Sequence, residues 1–75
     1  MIDYADINAA AKLLEGLWFT VSVDPSAEEA RRYRVECWDY DGVTGIGRAH
    51  LMGYAMENAW NSYQLSLEYK RKDAR

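Results

Sequence analysis

Apolar residues recur along the chain in two different periods. Tyr4, Ile7, Ala11 and Leu14 fall at helical spacing and predict a helix over residues 3–16. Asp3 stands where a first-turn cap belongs, Asp6 three residues on completes a capping box, and Ile2 and Ile7 hold the staple positions. Gly16 is placed to stop the helix. Residues 17–23 then alternate strictly, with Leu17, Phe19, Val21 and Val23 on one side and Trp18, Thr20 and Ser22 on the other. That period predicts a half-buried strand. Asp24-Pro25-Ser26 ends it, because proline cannot continue a ladder and favours a turn. Residues 27–30 read as one helical turn or a loop.

A second alternating run covers residues 32–40. Tyr33, Val35 and Cys37 face one way; Arg32, Arg34, Glu36, Trp38 and Tyr40 face the other. Asp41-Gly42 signals a two-residue hairpin turn. Such a turn starts the third strand at residue 43, runs it to 49, and sets Trp38 opposite Gly45 and Cys37 opposite Ile46. Gly45 and Gly47 admit a bulge or a close backbone approach. From residue 51 to 72 the helical period returns in Met52, Met56, Ala59, Trp60, Tyr63 and Leu67, with Ala55 beside the stripe. Lys70, Arg71 and Lys72 in the last turn complement the helix dipole. At 1.5 Å per residue this helix is about 33 Å long, enough to overhang a three-stranded sheet and to fray or pair with a second copy.

The predicted fold class is therefore α+β: a single domain over residues 1–75, ordered α-β-β-β-α, with a three-stranded antiparallel sheet and both helices packed on one face. Its core is thin, since a domain this small buries only about 60% of its unfolded surface. A content of 13% aromatic residues is more than that core can hold. Some aromatics must lie on the surface, where they often mark contacts.

Charge adds an asymmetry. Net charge is −3. Residues 1–30 carry Asp3, Asp6, Glu15, Asp24, Glu28 and Glu29 against Lys12 alone, whereas the remainder carries more bases than acids. Two readings stay open: solvated surface, or an acidic patch from the N-terminal segment and the 24–29 loop that attracts a basic partner or mimics a phosphate backbone. Cys37 is the only cysteine, so no internal disulfide is possible, which fits a reducing cytoplasm. The longest strongly apolar run, Leu17-Trp18-Phe19, is far short of a membrane span, and the acidic N-terminus is unlike a secretory signal.

Catalytic chemistry finds few candidates. Cys37 and His50 are single residues of their kinds, and a thiolate–imidazole pair is a known nucleophilic device. Yet Cys37 falls on the predicted core face, where cysteine acts as a small hydrophobe, and His50 sits at a strand-to-helix junction. One Cys and one His do not make a zinc site. The run Gly42-Val-Thr-Gly45-Ile-Gly47-Arg48 leads into a helix, as phosphate-cradling turns do, but its spacing matches neither a Walker loop nor a dinucleotide fingerprint. No enzyme activity, metal or cofactor is expected.

The α-β-β-β-α order, with a strand leading through Gly-x-Gly into a long helix, resembles the double-stranded-RNA-binding domain. That family grips phosphates with lysines in the first turn of the last helix. Here the stretch is Ala49-His50-Leu51-Met52-Gly53-Tyr54, without lysine, and the chain is acidic, which disfavours backbone binding. A sheet of aromatics flanked by arginines also suits stacking of single-stranded bases. The same residues suit a protein-binding patch, since Trp, Tyr and Arg dominate hot spots. Cross-strand packing alone would also account for them.

From Tyr33 to Trp60 the sequence reads YRVECWDYDGVTGIGRAHLMGYAMENAW. A strand, an Asp-Gly turn, a strand ending in Gly-Arg-Ala and an alanine-bearing helix resemble small phage accessory proteins of the anti-CRISPR type. The resemblance covers about a third of the chain and implies a non-enzymatic inhibitor that docks on a host nucleic-acid-handling complex. It carries over no functional residues. The expected function is thus a protein-binding module, with Trp18, Arg34, Trp38 and Tyr40 on the sheet and Glu28 and Glu29 on the loop as partner-binding residues. The alternatives are a nucleic-acid-binding domain and a structural subunit that forms a homodimer through its last helix.

Overall fold

The computed structural model describes residues 2–73. Three strands, β1 (Trp18–Val23), β2 (Tyr33–Trp38) and β3 (Thr44–Ala49), form an antiparallel meander in the order β1-β2-β3. Helix α1 (Ile7–Leu13) precedes the sheet and α2 (Met52–Asp73) follows it. Both helices lie on one face, so the α-β-β-β-α order and the α+β class stand as expected from the periodicity.

The β2–β3 connection corrects the predicted register. Trp38 pairs with Thr44, Cys37 with Gly45 and Glu36 with Ile46, one residue away from the expected pairing. A type I′ turn over Asp41-Gly42 needs φ > 0 at both residues, and among the described residues only glycines have it. Instead the Gly42 N–H donates to the Asp39 carbonyl (3.1 Å), the Asp39 N–H donates to the Val43 carbonyl (3.0 Å), and Gly42 alone is left-handed at φ 84°. This is a three-residue loop closed by a glycine bulge, the next most common hairpin solution. The extra residue ends both strands early: Tyr40 belongs to the turn, not to β2. It also brings Gly45 to the core face beside Cys37.

Helix α1 is shorter than predicted. The carboxylate of Asp3 accepts from the Ala5 N–H (3.0 Å) and forms a local turn, and Asp6 is the true cap, accepting from the Asn8 N–H (2.9 Å). The staple from Ile2 to Ile7 therefore does not apply, and both residues are exposed. The buried side of α1 is Ala10 and Leu14. Gly16, at φ 87°, ends the segment in the left-handed conformation expected of it. Glu29–Arg31 form a single 3-10 turn between β1 and β2.

Small residues make the core possible. Gly45, Gly47 and Ala49 face the helix layer, and Ala55 and Ala59 of α2 are fully buried against them. A Cβ on Gly45 would strike the backbone of Ala59 and Tyr63; one on Gly47 would strike that of Ala55, Asn58 and Ala59. The two glycines thus bring the α2 backbone directly onto the strand, and Val35, Cys37, Met56 and Leu14 fill the space around that contact. Gly53 meets the carbonyl of Tyr4, which seats the start of the chain on the first turn of α2.

The helix layer stops short of β1. Helix α2 packs on β3 and β2, and α1 packs chiefly on α2. Phe19 and Val23 consequently remain 39% and 53% exposed on the inner face, and only Val21 is half-buried among the apolar residues of β1. The predicted half-buried strand is, in the fold, a largely uncovered one. Beyond Tyr63, α2 continues past the core contact, leaving Leu65 and Tyr69 exposed on its last turns.

Candidate functional site

The outer face of the sheet carries the side chains that alternate away from the core, opposite the two helices. Its cross-strand rows follow from the register. Trp18 faces Trp38, which faces Thr44; Thr20 faces Glu36, which faces Ile46; Ser22 faces Arg34, which faces Arg48. One end of the face is therefore aromatic and the other cationic. Trp18 is 54% exposed, Ile46 45% and Tyr40, projecting from the turn, 91%. Trp38 is half-buried between its neighbours, as a central-strand residue must be.

Like charges directly opposite each other destabilise a sheet, yet Arg34 and Arg48 are so placed. The nearest carboxylate to Arg34 is Glu36, at 4.0 Å on the same strand. An exposed pair at that distance contributes little. Arg48 has the Asp24 carboxylate within electrostatic reach, so the cost of the arginine pair is offset in part within the fold.

The residues of the predicted acidic patch belong to two segments of the fold. Glu28 and Glu29 are exposed on the β1–β2 connection, whose 3-10 turn packs against β3. Asp3, Asp6 and Glu15 flank α1 on the helix layer. Asp24 is engaged locally: its carboxylate accepts from the Ser26 hydroxyl (2.6 Å) and N–H (3.0 Å). Those bonds hold its carboxyl below the usual range, with a smaller pull from Arg48. Trp18, Trp38 and Arg34 share the outer face, as the alternation implied, whereas Tyr40 lies in the turn beyond β2. Thr44, Ile46 and Arg48 join that face. The sequence signal for those three was an alternation in which Gly45 and Gly47 stand in for apolar residues, so it did not read as a buried face.

Groups with chemical potential are occupied structurally. Cys37 is fully buried, its thiol donates to the Ala59 carbonyl (3.6 Å), and burial pushes its pKa up. His50 follows Ala49, the partner of Tyr33, and so lies five residues from Cys37 along β2, roughly 16 Å at about 3.3 Å per residue. Its ring is tilted against Tyr54 at 5.5 Å. Among the described residues no three His, Cys, Asp or Glu side chains converge on a metal-sized site. The glycine run offers no phosphate cradle, because the backbone of α2 fills the space before Gly45 and Gly47.

One polar constellation was not legible in the sequence. Asp39 accepts from the Tyr63 hydroxyl (2.8 Å) through Oδ2 and from the Val43 N–H (3.0 Å) through Oδ1. A single carboxylate ties the hairpin turn to α2. The Tyr63 hydroxyl chiefly holds the Asp39 carboxyl below its ordinary value, and Asp39 in turn raises the Tyr63 pKa. The ring of Tyr63 stacks on Trp60 at 5.6 Å.

Comparison with protein-family models, with curated proteins and with solved structures finds no match to this chain.

Proposed function

We propose that this domain is a non-enzymatic binding module whose outer sheet face docks on a protein. The observation that supports it most is the arrangement of that face: Trp18 and Ile46 exposed beside Trp38, next to an arginine pair that the fold offsets only in part, with Tyr40 fully exposed on the adjoining turn. A desolvated aromatic centre with an adjacent Arg is the composition of a binding hot spot. Arg34 and Arg48 would take acidic groups of the partner, and the fold would recover on binding the electrostatic cost it carries when free. The Gly-Arg-Ala architecture noted in the sequence favours a phage-type, anti-CRISPR-like inhibitor acting in the cytoplasm on a host nucleic-acid-handling complex. No described helix is long and apolar enough to cross a membrane.

A second reading rests on the same arginine pair. Trp18 and Trp38 beside Arg34 and Arg48 also suit single-stranded nucleic acid, with bases stacked on the indoles and phosphates on the guanidinium groups. The net charge of −3 opposes it. Two assays separate the readings. Immobilised protein should retain a stoichiometric partner from a bacterial lysate, and a Trp38→Ala/Tyr40→Ala/Arg34→Glu variant should lose it. Gel shifts with single- and double-stranded DNA and RNA at low salt should show no complex. Binding of single strands, abolished by the same variant, would instead establish the second reading.

A further inference from the structure

The two edges of the sheet are treated differently. On β3 two of the free backbone groups are occupied by α2: the Ile46 N–H donates to Ser62 Oγ (3.2 Å), and Asn58 Nδ2 donates to the Arg48 carbonyl (3.0 Å). Asn58 and Ser62 are one helical turn apart, so α2 lays a polar strip along that edge. On β1 the only partner is β2, and no side chain among the described residues bonds to the free side of β1.

The hydrogen-bond phase identifies which groups are free. Asp24 N–H donates to the Arg32 carbonyl, and these residues extend the β1–β2 register by one. Bonded pairs alternate in an antiparallel ladder. Trp18, Thr20 and Ser22 therefore bond toward β2, and Phe19, Val21 and Val23 turn their N–H and C=O groups outward. The bond from the Asp39 N–H to the Val43 carbonyl gives the same phase on β3, where Ile46 and Arg48 point outward as found.

We infer that β1 is a homodimerisation edge, pairing antiparallel with β1 of a second copy to form one continuous sheet, β3-β2-β1-β1′-β2′-β3′. Three features favour a second copy. First, Trp18–Val23 carries no charge and no proline. Natural edges left unpaired are defended by lysine, proline or a cover. An uncharged strand meets no like charge when it pairs with its own copy. Second, a two-fold axis through Val21 matches the outward groups of each copy to the other. Phe19 falls opposite Val23 of the second copy, and Val21 opposite its own equivalent. Third, the apolar inner surface of β1 lies where the helix layer stops, so two copies bring their uncovered Phe19, Val21 and Val23 side by side. Asn58 and Ser62 already engage part of the β3 edge, which disfavours growth beyond two copies. The overhang of α2, with Leu65 and Tyr69, is not the contact.

Val21→Pro tests this directly. Its N–H points to the free side, so proline removes no bond within the monomer, and edge positions tolerate it. The wild-type protein should sediment as a concentration-dependent dimer with no larger species. Val21→Pro should keep its far-ultraviolet spectrum and weaken dimerisation by about ten-fold or more through lost cross-edge bonds. Val23→Lys, at an exposed position, provides the same reading should the proline variant fail to fold. Leu65→Lys/Tyr69→Lys should dimerise as wild type. A wild-type monomer at millimolar concentration, a folded edge variant that dimerises normally, or loss of the dimer in the α2 variant would each overturn the proposal.

Discussion

Glycine has opposite meanings at Gly47 and Gly16. At Gly16 the backbone is left-handed and the surroundings are open, so Gly16→Ala should cost about 1–2 kcal/mol, the penalty of placing a Cβ in that conformation. At Gly47 the conformation is not left-handed, but a Cβ would press into the backbone of α2. Backbone cannot rotate aside as a side chain can, so Gly47→Ala should cost at least about 3 kcal/mol, at the upper end of overpacking effects. Urea unfolding of the two variants checks the order. A Gly47→Ala protein as stable as wild type would contradict the close approach of β3 and α2. Cys37 gives a second test at this scale. Its buried thiol should react with an aromatic disulfide reagent about a thousand-fold more slowly than in the unfolded chain, as expected if reaction waits for opening of a domain with a stability of about 4 kcal/mol or more. Fast labelling of the folded protein would place Cys37 at the surface.

Among the elements, the β2–β3 hairpin and α2 are joined through Asp39 and Tyr63. Asp39 has its folded pKa below the ordinary 3.8, so its contribution is present above that value and is lost as pH falls through the folded value. Tyr63 has its pKa raised above 10.0, so the hydroxyl keeps its proton across neutral pH and the bond is lost only in strong base. The pair therefore stabilises most between these limits. Tyr63→Phe should lower the melting temperature at pH 7, and the gap to wild type should narrow in thermal scans below about pH 4. A gap that stays constant into acid would remove the carboxylate from the account. This contact also marks where sequence reasoning ran out. The period of α2 put Tyr63 on the buried stripe correctly, and the alternation of β2 placed Val35 and Cys37 in the core. Asp39, however, read as an ordinary strand residue. Its role depends on a glycine bulge at Gly42 that shifts the register by one, and turn type is decided by the left-handed state of single residues, not by periodicity. The end of α1 failed for a similar reason: Asp3 and Asp6 are equally good caps by composition, and the close seat of Tyr4 on Gly53 breaks the tie.

At the scale of the whole molecule, one layer of helices covers one face of a narrow sheet. The exposed surplus of aromatic residues was legible from composition, and their common face from alternation at Trp18, Arg34 and Trp38. The contribution of Ile46 and Arg48 was hidden by the glycines between them. If the outer face is the docking surface, Glu28→Lys/Glu29→Lys should change partner affinity far less than Trp38→Ala, which as a hot-spot truncation should cost about 2 kcal/mol or more in binding; titration calorimetry with the captured partner decides between them. The most direct measurement places a photo-reactive benzophenone side chain at Tyr40, at Glu28 or at Lys12 and irradiates each protein in a bacterial lysate. The outer-face account predicts one dominant protein adduct from position 40, with little or none from 28 and 12. An adduct from position 28 or 12 in its place, or no protein adduct from position 40, would contradict it.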